Sequence, residues 1–260
     1  MTMFVYGGLC LYILTTVFYV CRLFSAGAQL DLWANRILAA TLLTWLLIFG
    51  GLGVFDSWAV SATQRWLWSS AWVLSLVFFI LRRRFAIDGS GSTIVGLSTV
   101  LTCLGIMSTH AISEPVTHYG GLLKFHIGLA FIGVTAFAFA GAISALYLVQ
   151  ARALKQDPSS TLQRRLPPLV TVDKLAFRAI LIGFPFYTLA LLIGSVFAMS
   201  AESPYISLSY WSSLFSWVIY GFILHVRVSL GWRGRRASFL TLAGLVGIII
   251  VLVQYSMRGT

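Results

Sequence analysis

Eight stretches of this chain contain no Asp, Glu, Lys or Arg: residues 1–21, 37–55, 66–81, 89–113, 125–151, 179–201, 203–226 and 237–257. Crossing a hydrocarbon core as a helix takes roughly 20 apolar residues, and most of these stretches supply them. With 59% hydrophobic and only 10% charged residues, the chain cannot clothe a water-soluble globule in charge. The fold expected is an all-α integral membrane protein: a bundle of eight transmembrane helices forming one polytopic domain over residues 1–260. The shortest stretch, 66–81, is expected to be extended by Arg82, Arg83 and Arg84 snorkelling to the interface.

A net charge of +11 would point to nucleic acid in a soluble chain, but here its distribution has another cause. Fifteen of the eighteen Lys and Arg residues fall on one side of the expected spans, after the first, third, fifth and seventh. By the positive-inside rule those loops are cytoplasmic and both termini lie outside, so no nucleic-acid partner is expected. Residues 25–28 are small, as at a signal cleavage site, yet no basic residue precedes the first apolar run and Arg22 follows it. That order is the reverse of a secretory signal, and the first run is expected to be a true span.

Cys10, Cys21 and Cys103 form no CxxC pair and are read as packing residues. Trp66, Trp68 and Trp72 cluster at the start of the third span, where tryptophan usually anchors a helix at the interface. Residues 150–178 are basic and broken by Leu166-Pro167-Pro168, which reads as the largest cytoplasmic connector. His110 and His118 flank Pro115 in an outer loop without a metal-ligand spacing, so solvated histidines are the default there.

Two histidines fall inside expected spans. His225 stands near the end of the seventh, in a stretch from Tyr210 to Arg236 that also carries Trp211 and Trp217. His126 lies just inside the outer end of the fifth, above a helical stripe of Ala130, Gly133, Phe137, Gly141 and Ser144 for which plain helix packing is the favoured reading. An ionisable residue in lipid is costly and so marks a candidate site, although a histidine bonded to a neighbouring helix is the simpler explanation. Neutral imidazole is the usual axial ligand of haem iron. By topology the two lie roughly 20–30 Å apart along the membrane normal, so they cannot ligate the same iron.

Three blocks carry a resemblance: LKFHIGLAFIGVTAFAFAGAISALYLVQARALK, LPPLVTVDKLAFRAILIGFPFYTLALLIGSVFA and SWVIYGFILHVRVSLGWRGRRASFLTLAGLVG. They resemble the CcsA/HemX branch of the cytochrome c assembly family, most strongly over residues 122–250. The resemblance implies a helical bundle that handles haem b. By position His126 matches the family's outward haem ligand, His225 its membrane-embedded haem histidine in a Leu-His-x-Arg context, and Trp211 and Trp217 the remnant of a tryptophan-rich platform. That platform ends in Trp-Asp-Pro in full assembly factors, and here the region reads AESPYISLSYWSSLFSW. The short HemX-like subgroup therefore fits better.

The function implied is binding or moving haem in a bacterial inner membrane, without bond chemistry of its own. Membrane lipid, haem and a cytochrome c assembly subunit or haem-synthesis enzyme are the expected partners. The alternative is a scaffold that docks a cytoplasmic tetrapyrrole-synthesis enzyme through the basic residues 152–174, its histidines being structural.

Overall fold

A computed structural model describes residues 2–24, 28–54, 61–85, 87–108, 120–156, 166–200 and 204–256. Among them are eight α-helices: α1 (Thr2–Phe24), α2 (Ala28–Val54), α3 (Ala62–Phe85), α4 (Gly91–Met107), α5 (Gly120–Gln156), α6 (Leu169–Ser200), α7 (Pro204–Ser229) and α8 (Arg235–Ser256). One 3-10 turn precedes α4. Five of the helices, α1, α2, α3, α5 and α6, contain stretches long and apolar enough to cross a membrane, and α4 is a shorter apolar helix. His110 and His118 lie outside the described residues.

Helix ends follow local chemistry. At the start of α3, Gln64 N–H donates to Ser61 Oγ (3.2 Å) while Ser61 N–H donates to Gln64 Oε1 (3.0 Å), a reciprocal capping box. The two prolines at 167 and 168 stop any helix before α6, which begins at Leu169 and accommodates Pro185 internally. Residues 150–178 are thus not all connector. Helix α5 continues to Gln156, and the first ten residues of α6 belong to the same basic segment.

The chain divides into two compact units, Met1–Thr109 with Val149–Pro168, and His110–Leu148 with Leu169–Thr260. In the first, α1, α2, α3 and α4 enclose a core of buried aromatics and hydroxyls. Trp45 is fully buried and packs 6.0 Å from Tyr12 and 5.6 Å from Trp68, ring centroid to ring centroid. Around them Ser75 Oγ donates to Ser98 Oγ (2.9 Å), and Thr15 and Thr41 share a 3.1 Å contact. Thr15, Thr41 and Ser98 also bond the carbonyl four residues earlier, so these three are satisfied within their own helices as well as across to another.

Three expectations change in this unit. Trp68 is only 2% exposed and donates to the Thr102 carbonyl, so it is a core residue and not an interfacial anchor. Arg82 does not snorkel. It is 3% exposed and donates to Asn35 Oδ1, because that amide oxygen, shared with Tyr19 O–H at 2.9 Å, supplies a buried acceptor. Cys10 and Cys21 are exposed rather than packed.

The second unit is built on Phe137 of α5, which stacks on Tyr220 of α7 at 3.7 Å and meets Tyr187 of α6 edge-on at 5.3 Å. Ala140, Ile180, Ile223 and Ile248 complete this core. The small-residue stripe of α5 is therefore a packing surface. A Cβ on Gly133 would lie 2.9 Å from Cβ of Tyr187, so only glycine lets α6 approach so closely.

Candidate functional site

His126 is held from three positions on one face of α6. Its Nδ1 is 2.8 Å from the Ala190 carbonyl oxygen. A carbonyl only accepts, so Nδ1 carries the proton and Nε2 keeps its lone pair in the neutral ring. The imidazole meets Phe197 edge-on at 5.7 Å, and a Cβ on Gly194 would come within 3.0 Å of its Cε1. Ala190, Gly194 and Phe197 follow the i, i+4, i+7 spacing of a single helix face. The result is an oriented, half-buried histidine whose Nε2 keeps its lone pair, and a carbonyl contact of this kind also orients metal-binding histidines.

His225 is placed differently. It is exposed, on the face of α7 that also presents Trp211, Phe215, Val218 and Phe222. No side chain or carbonyl among the described residues bonds it.

Just beyond His225 lies a buried ion pair. Arg227 Nη2 is 2.6 Å from Asp173 Oδ2, and the two side chains are 6% and 10% exposed. Asp173 Oδ1 accepts the Gly234 N–H at 2.9 Å, and the Arg227 guanidinium sits 4.6 Å over the Phe177 ring. Gly231 and Gly234 both have positive φ, 64° and 70°, which lets the chain reverse from α7 into α8 within a few residues. The carboxylate thus ties the start of α6 to the end of α7 and to the turn.

These sites are far apart. His126 lies level with Ala190 and His225 near the level of Asp173, and those two positions are separated by 17 residues of α6, about 25 Å at 1.5 Å per residue. The two histidines therefore cannot share one metal. Nor do the tryptophans wall either ring. Trp211 is 14 residues from His225 on the same face, about 21 Å along the axis. Trp217 is turned onto α6, where its Nε1 donates to Thr188 Oγ1 (2.9 Å) and its ring stacks on Phe184 at 5.8 Å. Among the described residues no cluster of three or more His, Cys, Asp or Glu side chains converges on a metal position.

Asp173, Ala190, Gly194 and Phe197 were not singled out from sequence. The only signal for the last three is their helical spacing, and Asp173 is one acid within a run of cations.

A multi-pass helical membrane protein with two widely separated histidines is the class these features define. The chain belongs to the cytochrome c assembly protein family, whose model matches residues 2–258. Among curated relatives, the cytochrome c biogenesis protein CcsA of Heterosigma akashiwo is 36% identical over 126 residues, 46% of this chain and 36% of the relative. That of Rippkaea orientalis is 25% identical over 194 residues, 72% of this chain and 52% of the relative. The chain thus spans about a third to a half of the length of these relatives. No solved structure matches it.

Proposed function

We propose that this protein binds haem within the membrane and presents it to other components of cytochrome c assembly, with His225 as the axial ligand of one site and His126 as the ligand of another. The observation that carries this reading is the exposure of His225 among apolar and aromatic side chains, where a flat apolar ligand covers the face and takes the ring nitrogen. Haem fits the residues present, since neutral imidazole is its usual protein ligand and Phe222 and Val218 offer the apolar wall a porphyrin needs. Bound haem supplies the iron. The protein's own residues hold and orient it and carry out no bond chemistry.

At the other end, Ala190 and Gly194 fix the tautomer and the position of His126, leaving Nε2 as the donor atom. Under the positive-inside rule the His225 end of α7 faces the cytoplasm and the His126 end faces outward, in a bundle of eight spans with both termini outside. A bacterial cytoplasmic membrane and the short HemX-like subgroup fit this reading, the latter because the stretch before α7 lacks Trp-Asp-Pro.

The test is the visible spectrum of the detergent-solubilised protein titrated with haem, beside His225→Ala and His126→Ala. A Soret shift reduced by each substitution and abolished by both supports two ligand sites. A shift absent from wild type, or unchanged by both substitutions, sinks the assignment.

A further inference from the structure

In the first unit, α2 and α3 pack less closely than their neighbours and leave an apolar groove of about 290 Å³, lined by Ala39, Leu43 and Leu46 on one side and Trp72, Leu76 and Phe79 on the other. Hydrogen bonds tie the two helices together along it: within the lining Trp72 Nε1 donates to the Leu42 carbonyl at 2.9 Å, and beyond Ala39 and Phe79 Arg82 donates to Asn35 Oδ1. The next residue after each partner of that second bond is an exposed arginine, Arg36 on α2 and Arg83 on α3.

Helical spacing puts both cations on the groove side. Arg36 precedes Ala39 by three residues and Leu43 by seven, while Arg83 follows Phe79 by four and Leu76 by seven. Arg36 also rests over the Trp33 ring at 5.8 Å, an aromatic support at the groove mouth. Asp31 is paired with Arg22, and among the described residues no carboxylate pairs with Arg36 or Arg83. The mouth is therefore cationic and the trough beyond it apolar. The trough runs from Ala39 to Leu46, about 10 Å along the helix axis, the reach of part of one acyl chain.

We propose that the α2–α3 groove is a binding site for an anionic phospholipid, with the phosphodiester held by Arg36 and Arg83 and an acyl chain lying between Leu43 and Phe79. A soluble anion would leave the trough uncovered. A zwitterionic lipid would bring its ammonium group to a mouth where, among the described residues, no carboxylate pairs with either arginine, so charge selects a headgroup with net negative charge. The site is remote in sequence from His126 and His225, and it stands or falls independently of the haem reading.

The experiment uses the full chain in nanodiscs of phosphatidylcholine containing a minor fraction of phosphatidylglycerol, with retained lipids counted by native mass spectrometry after mild detergent release. Wild type is expected to keep one phosphatidylglycerol in preference to phosphatidylcholine. Arg36→Gln and Arg83→Gln should each weaken that preference about fivefold, and the double variant should lose it. Ala39→Trp, which fills the trough, should release the lipid with both arginines intact, whereas Arg235→Gln at the start of α8 should change nothing.

Because Arg36 and Arg83 are exposed, their variants keep the fold, and circular dichroism checks this, so the charge comparison decides the matter even where Ala39→Trp folds poorly. Equal retention of the two lipids by wild type overturns the proposal. So does a preference that survives the double substitution, or recovery of an isoprenoid quinone or a second copy of the chain from the groove.

Discussion

Asp173 of α6 and Arg227 of α7 form a buried ion pair, 2.6 Å between Oδ2 and Nη2, two residues beyond the exposed His225. The second oxygen of Asp173 holds the Gly234 N–H, so one carboxylate secures the helix that carries His225 and the turn that ends it. Removing one partner of such a pair leaves the other charge buried and uncompensated, at about 3–5 kcal/mol. Asp173→Ala is accordingly expected to lower the thermal stability of the detergent-solubilised protein by that order. An Asp173→Leu/Arg227→Met double variant should recover most of the loss. A single variant as stable as wild type would show that the pair does not hold the turn.

Gly194 is the open position against which the His126 ring lies. Gly194→Val pushes the imidazole away from the Ala190 carbonyl, and loss of such an orienting contact typically weakens metal affinity 10–100-fold. Haem titration of Gly194→Val in a His225→Ala background should reproduce His126→Ala in that background. Unimpaired binding would mean that the Ala190 contact does not prepare Nε2.

Much of the helical layout is legible in the sequence because each charge-free stretch nucleates one helix, and every one of the eight stretches falls within an observed helix or overlaps it. The boundaries fail where a charge is neutralised by a partner. Helix α2 begins at Ala28, well before residue 37, since Asp31 pairs with Arg22 and Asn35 accepts from Arg82. Helix α6 likewise reaches back past residue 179 to the prolines, and Asp173 in that extension is paired with Arg227. Such partners are remote in sequence, and a rule that stops at the first charge cannot foresee them. His126 and His225 are visible as costly residues in apolar runs, but which is cradled and which is exposed depends on the face each helix turns outward. The partner of His126 is a backbone carbonyl, which leaves no mark in residue type.

Trp217 serves packing, through Thr188 and Phe184. Trp217→Phe keeps the stacking and loses one hydrogen bond, for a cost of about 1 kcal/mol in stability. The haem spectrum should be unchanged. A spectral change without a stability change would place Trp217 at the ligand instead.

The Ser61–Gln64 box starts α3. Ser61→Ala is expected to destabilise the protein by about 1 kcal/mol, and Gln64→Ala to add less in the Ser61→Ala background than alone, because the two bonds form together. Thermal unfolding of the two single variants and the double variant measures this coupling, and strict additivity would argue against a reciprocal cap.

The most direct measurement of haem ligation by His225 is imidazole rescue. His225→Gly removes the ligand from an exposed face without disturbing the Phe137–Tyr220 core or the Asp173–Arg227 pair. In a His126→Ala background, where one site remains, this substitution should abolish the Soret band of the haem-titrated protein, and added imidazole should restore it with saturable dependence on concentration. A Soret band that persists without His225, or one that free imidazole restores equally in a Phe222→Ala variant retaining His225, would contradict ligation at this face of α7.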